Sequence, residues 1–153
     1  MKSVTNQADQ KEIRNRLKAF TPDAPRQWGT MSAHQMICHL TDSFRLTTGE
    51  KAASVTGGWF ERNIIKILAL YVPMQWPKDV PTRPEMDQVK GSGTRPQDFE
   101  KDKQMLLGYL DRFCRKPRDF TPGAHPIFGE MTAAQWDRWA YLHIDHHLRQ
   151  FGR

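Results

Sequence analysis

The feature that most constrains this chain is a sixteen-residue segment that occurs twice. Phe20–Gln35 reads FTPDAPRQWGTMSAHQ and Phe120–Gln135 reads FTPGAHPIFGEMTAAQ, eight of the sixteen positions being identical at an offset of 100 residues. The spacing is too long for a solenoid, and two copies are too few for one. Each copy ends in a capping-box pattern, Ser32-x-x-Gln35 or Thr132-x-x-Gln135. In that pattern the hydroxyl accepts from a free N–H of the first turn and the glutamine accepts from the cap's own N–H. The repeat therefore predicts two helices launched in the same way, in a chain with two similar halves.

Hydrophobic periodicity supplies five helical segments. The first, about Asn6–Phe20, sets Ile13, Leu17 and Phe20 on one face. The second, about Ala33–Thr48, carries Met36, Ile37, Leu40 and Phe44 and stops at Gly49. The third, about Trp59–Val72, is apolar and stopped by Pro73. The fourth, about Gln97–Cys114, starts behind Pro96 and carries Phe99, Leu106, Leu110 and Phe113. The fifth is about Ala133–Phe151. No sustained alternation marks a strand. The Pro73–Arg95 connection is long and rich in Pro and Gly, and it reads equally as a functional loop or as a crossover wrapped over a bundle.

Composition narrows the class. A length of 153 residues predicts one domain, 1–153. With 38% hydrophobic and 26% charged residues, the chain is neither disordered nor a disulfide scaffold. The longest apolar run, Ile64–Val72, is short and broken by Lys66, so no membrane span is expected. Met1–Gln10 has no apolar core, so no signal peptide is read and the cytoplasm is the expected location. The net charge of +6 is spread out. Its one compact cluster, Arg112, Arg115, Lys116 and Arg118, sits where a helix end favours cations, so no nucleic-acid partner is expected. Cys38 and Cys114 form no ligand motif and are expected to be buried thiols.

Five of the six histidines lie in the helices behind the two caps, His34 in a first turn and His39, His143, His146 and His147 further along. Counted at 100° per residue from their caps, His39, His143 and His147 fall within about 80° of one another. All three project towards apolar faces. A buried neutral imidazole needs partners for its nitrogens, and a divalent metal is one. His143-x-x-x-His147 is the i, i+4 spacing of helical metal sites, and His39 offers a third ligand from another helix. Packing of the same rings in a metal-free core is the competing reading. His34 is expected at the solvated surface. His125, ahead of Pro126, reads first as a turn residue and second as a supporting or substrate group. Asp42 and Asp145 are expected to point away from the buried face.

The segments WGTMSAHQMICHL (Trp28–Leu40), HPIFGEMTAAQW (His125–Trp136) and YLHIDHHLRQFG (Tyr141–Gly152) resemble the DinB-like superfamily, and more closely a branch of it without assigned function. The resemblance implies an all-α fold: an antiparallel four-helix bundle with a long crossover and an additional helix, often paired as a homodimer. It implies a divalent metal (Zn, Ni or Fe) on the positions matched by His39, His143 and His147. His146 would stand beside the ligands, and Gln150 would orient a ligand or bound water.

Three functions are consistent with this. By resemblance, the first is a metal-dependent transferase that activates a low-molecular-weight thiol and transfers it to an electrophilic small-molecule substrate. The second is a metal-hydroxide hydrolase using the same ligands. The third is a non-enzymatic, dimeric metal-binding bundle paired through Trp59, Phe60 and Trp76.

Overall fold

The structure is a computed structural model and describes residues 1–153. It is all-helical: α1 (Gln7–Lys18), α2 (Ala33–Thr47), a π-helical turn (Glu61–Ile65) running into α3 (Lys66–Tyr71), a 3-10 turn (Pro84–Met86), α4 (Phe99–Cys114) and α5 (Ala133–Gln150). No helix is long and apolar enough to cross a membrane.

Each long helix begins where a side chain takes up its free N–H groups. Asn6 caps α1 and Asp98 caps α4. Ser32 and Thr132 cap α2 and α5 with complete capping boxes, Gln35 and Gln135 returning the bond to the cap N–H at 2.8 and 2.9 Å. The repeat thus performs the local work its sequence predicts. Its shared glycine has a reason as well. Gly29 and Gly129 both adopt left-handed backbone, φ +76° and +64°, just before the cap. Such a conformation costs an L side chain roughly 1 kcal/mol or more. The α4 start differs from the expected Gln97, because the Asp98 carboxylate and not Pro96 supplies the cap.

The packing follows the two halves. α2 lies against α4, α1 lies against α5, and α1 touches α4. If α1–α2 is one half and α4–α5 the other, exchanging the halves maps the first contact onto the second. The core unites Ile13, Leu17 and Phe20 with Ile37, Leu40, Phe44, Leu106, Leu110, Phe113, Trp136 and Ile144. Lys103 of α4 is buried with them, and its ammonium donates to the Phe20 carbonyl (3.1 Å), just beyond the end of α1.

α3 departs from the expected core helix. Only Leu70 is buried, while Trp59, Phe60, Ile67 and Leu68 stand exposed. Trp76, grouped above with Trp59 and Phe60, turns inward instead and donates its indole N–H to the Ala69 carbonyl (2.8 Å). Three of the four residues of the basic cluster near α4 are paired. Arg112 meets Glu50 and Asp119, while Lys116 and Arg118 meet the buried Asp137.

Asp42 corrects an expectation: it is fully buried, not turned to solvent. Its carboxylate accepts from Lys51 Nζ (2.8 Å), Gln88 Nε2 (2.9 Å), Thr94 N (2.8 Å) and Thr94 Oγ1 (2.7 Å). Gln88 and Thr94 belong to the Pro73–Arg95 connection, so this one carboxylate pins the connection to α2. Burial alone would raise the Asp42 carboxyl, but the bonds from Lys51 and Thr94 outweigh it and hold it below the ordinary aspartate range. The stability this contributes is present above that range and lost as pH falls through the lowered value. Replacing Asp42 by Ala strands the half-buried Lys51 ammonium and several donors, so a loss of about 3–5 kcal/mol is expected. Urea denaturation measures it, and hydrogen exchange should show the amides of residues 86–95 losing protection first.

Candidate metal centre

His39, His143 and His147 converge on one spot, each with a ligand atom within 4.8 Å of the others. His39 comes from the middle of α2, and the pair comes from the last two turns of α5. His39 Nε2 lies 3.4 Å from His143 Nε2, and His147 Nε2 lies 3.2 Å from it. His39 and His147 are buried, and His143 is half-buried.

The tautomers follow from the outer nitrogens. His39 Nδ1 lies 3.0 Å from the Met86 carbonyl, which can only accept, so Nδ1 carries the hydrogen. His147 Nδ1 lies 2.9 Å from Gln150 Oε1. The orientation of that amide is fixed because Gln150 Nε2 donates to the Trp28 carbonyl at 3.1 Å. His147 Nδ1 therefore donates too. Both histidines present a bare Nε2 lone pair to His143, which can offer one N–H at most at that nitrogen. At least one lone pair is left facing another acceptor in a desolvated place.

A divalent ion resolves this conflict, and the geometry fits one. With metal–nitrogen bonds of 2.0–2.1 Å, tetrahedral ligands stand about 3.3 Å apart, close to the distances between these nitrogens. The charge state fits as well. Burial pushes His39, His143 and His147 below the ordinary histidine value, His143 and His147 furthest. All three are neutral at pH 7, the form that binds metal.

The surroundings are aromatic. Trp139 stacks on His143 at 4.8 Å between ring centroids, Trp76 tilts over His143 and His146, and Trp28 sits 5.8 Å from His146. His146 is half-buried and held by aromatic contacts, beside His147. The nearby carboxylates are committed elsewhere, Asp42 as described and Asp145 to Arg16 and Arg149.

Gln150 occupies the place expected of a residue that orients a ligand. It reaches the Trp28 carbonyl because Gly29 has no side chain; a Cβ there would lie 2.5 Å from Gln150 Nε2. Met86 was not foreseen. It acts through its backbone carbonyl, which any residue possesses, so nothing in its identity marks it.

His125 lies one ring further out. Its Nδ1 accepts from Ile127 N (3.2 Å) and Phe128 N (3.1 Å), and its ring packs against Phe128, Trp136 and Trp139. This is the turn role. His34 is not solvated as expected: it is half-buried, with Nε2 2.7 Å from Asp102 Oδ2.

Two outcomes follow. Gln150→Ala should weaken metal binding by roughly 10–100-fold, as read by competition with a chromogenic chelator, while leaving the stoichiometry unchanged. His125, pushed down to about 3 by burial, stays neutral when folded but protonates when unfolded below the ordinary histidine value. Its contribution is therefore present above pH ~6.5 and lost as pH falls towards 3. His125→Asn keeps a side-chain acceptor for the turn and should flatten the stability–pH slope between pH 6 and 4 by about 1.4 kcal/mol per pH unit, as measured by denaturant titration.

A family described as "Protein of unknown function (DUF1569)" matches residues 5–153. No curated protein and no solved structure matches the chain. With the match running through both capped helices and all three histidines, the chain belongs to the DUF1569 family.

Proposed function

We propose that this chain is a metal-dependent enzyme of DinB-like type that activates a low-molecular-weight thiol for transfer to an electrophilic small molecule. The observation carrying the reading is the triangle of Nε2 atoms, two of them stripped of hydrogen by the Met86 carbonyl and the Gln150 amide oxygen. The helix order and the α2–α4 and α1–α5 contacts support the finer architecture, a four-helix bundle of α1, α2, α4 and α5 with α3 in the crossover.

Held by His39, His143 and His147, a divalent ion would keep its full charge and would lower the pKa of a thiol or water bound to it. The protein's part is orientation. Met86 and Gln150 fix the ring planes of His39 and His147, and Asp42 holds the connection that carries Met86. The indoles of Trp76 and Trp139 exclude water from the side of His143. His146, lowered by burial and neutral at pH 7, is available to accept a hydrogen bond from a substrate.

The committed state of Asp42 and Asp145 favours the thiol over water. No free carboxylate stands by as a general base, and a thiol needs less help than water to ionise near neutrality. In the same reading two copies pair through the exposed Trp59 and Phe60.

The test is metal content and turnover of untagged protein beside His143→Ala. About one equivalent of metal should be lost in the variant, together with all turnover of a chromogenic electrophile in the presence of a thiol panel. Thiol-independent turnover of esters would assign the hydrolase instead. Undiminished turnover in metal-free protein would overturn both.

A further inference from the structure

A second group of ligand atoms lies on another face of α2, and it shares no residue with the three histidines. His34, Cys38 and Asp102 bring one donor atom each within 4.8 Å of one another. His34 and Cys38 are four residues apart on α2, hence on one face. Asp102 comes from the first turn of α4, the helix packed against that face. Cys38 is buried, whereas the His34 and Asp102 side chains retain 22% and 18% exposure, so the group is open to solvent on one side.

The hydrogen bonding here is lopsided. Three donors crowd one oxygen: Asp102 Oδ2 is approached by His34 Nε2 (2.7 Å), Gln97 N (3.1 Å) and Cys38 Sγ (3.8 Å). Beside the group is a cavity of about 210 Å³, lined by Cys38 and Asp102 together with Thr41, Arg45, Thr94 and Met105.

We infer that His34, Cys38 and Asp102 form a second divalent-metal site, of the zinc type, with its fourth position facing this cavity and filled by water. A thiolate, an imidazole and a carboxylate make a donor set that zinc accepts, and the two anionic ligands balance its charge. On binding, the Cys38 thiol proton is released to solvent. His34 Nε2 now donates its hydrogen to Asp102, so on binding His34 would shift to the tautomer with its hydrogen on Nδ1 and offer the Nε2 lone pair. Tetrahedral zinc would set the N···O edge at about 3.3 Å and the S···O edge at about 3.5 Å. The present distances of 2.7 and 3.8 Å differ by about 0.6 Å or less from these, within reach of side-chain adjustment on two fixed helices.

Cobalt(II) is the probe, because a bound thiolate gives a near-ultraviolet charge-transfer band that histidine ligands do not. The full chain, kept reduced with a phosphine, is titrated beside Cys38→Ser and Cys114→Ser. The expected result is a band in the wild type and in Cys114→Ser, absent in Cys38→Ser, with one equivalent less cobalt bound in Cys38→Ser. Asp102→Asn, which preserves size, should weaken the band's apparent affinity at least tenfold while circular dichroism stays unchanged. One equivalent of cobalt with the band would support this site and not the histidine triangle. One equivalent without a band, or a band that survives in Cys38→Ser, would overturn it.

Discussion

Three imidazoles cannot share one desolvated spot with their Nε2 atoms facing one another unless something takes up the lone pairs. Much of the surrounding structure exists to hold them there regardless. The Met86 carbonyl and the Gln150 amide take the outer hydrogens of His39 and His147 and so force the bare nitrogens inward. Each of these partners is anchored in turn. Gln150 is tied to the Trp28 carbonyl, and the segment carrying Met86 is tied through Gln88 and Thr94 to the buried Asp42. The arrangement opposes folding, since neutral imidazoles are buried with imperfect partners, and it is offset by the core that α1, α2, α4 and α5 share.

The scaffold is close to symmetric and the site is not. At the repeat offset His39 corresponds to Trp139, His143 to Ser43 and His147 to Thr47. Ser43 and Thr47 are buried and spend their hydroxyls on α2's own carbonyls, of His39 and Phe44. Trp139, standing where His39 stands in the other half, stacks on His143 instead of supplying a nitrogen. Two similarly capped helices therefore deliver one histidine from one side and two from the other. The repeat does not carry the donors of one half onto donors of the other, so a single site results where full symmetry would have made two.

How much of this the sequence disclosed depended on whether the signal was local. Caps, helix starts and apolar stripes are written within a few residues, so α1, α2 and α5 fell within a residue or two of their expected bounds, and Ile13, Leu17 and Leu40 are buried as their spacing predicts. The meeting of His39 with His143 and His147 was legible because the same cap sets the phase of both helices. The Pro73–Arg95 connection was not, because its placement rests on long-range bonds to Asp42. A buried aspartate with five donors looks, in sequence, like a surface one. The segment predicted as the third helix misled for the opposite reason: its apolar residues suggested burial, but α3, packed against α5, leaves Ile67 and Leu68 outside, and Trp59 and Phe60 ahead of it are exposed too.

α2 carries an unusual load for a core helix. Thr41, Asp42, Ser43 and Thr47 are buried within it beside His39 and Cys38. Thr41 and Ser43 bond back to the carbonyls four residues earlier, so their hydroxyls are satisfied without a partner element. Asp42 is satisfied from outside by the connection and by Lys51. What remains unsatisfied inside the helix's own environment is confined to its ligand-bearing faces: the bare Nε2 of His39 on one, and on the other the Cys38 thiol, whose one acceptor is a carboxylate oxygen at 3.8 Å. A helix whose other buried polar groups are satisfied, its hydroxyls locally and Asp42 from outside, has concentrated its polar imbalance where a cation can correct it. That is the physical reason to look for metal on both of these faces of α2 before looking for substrate.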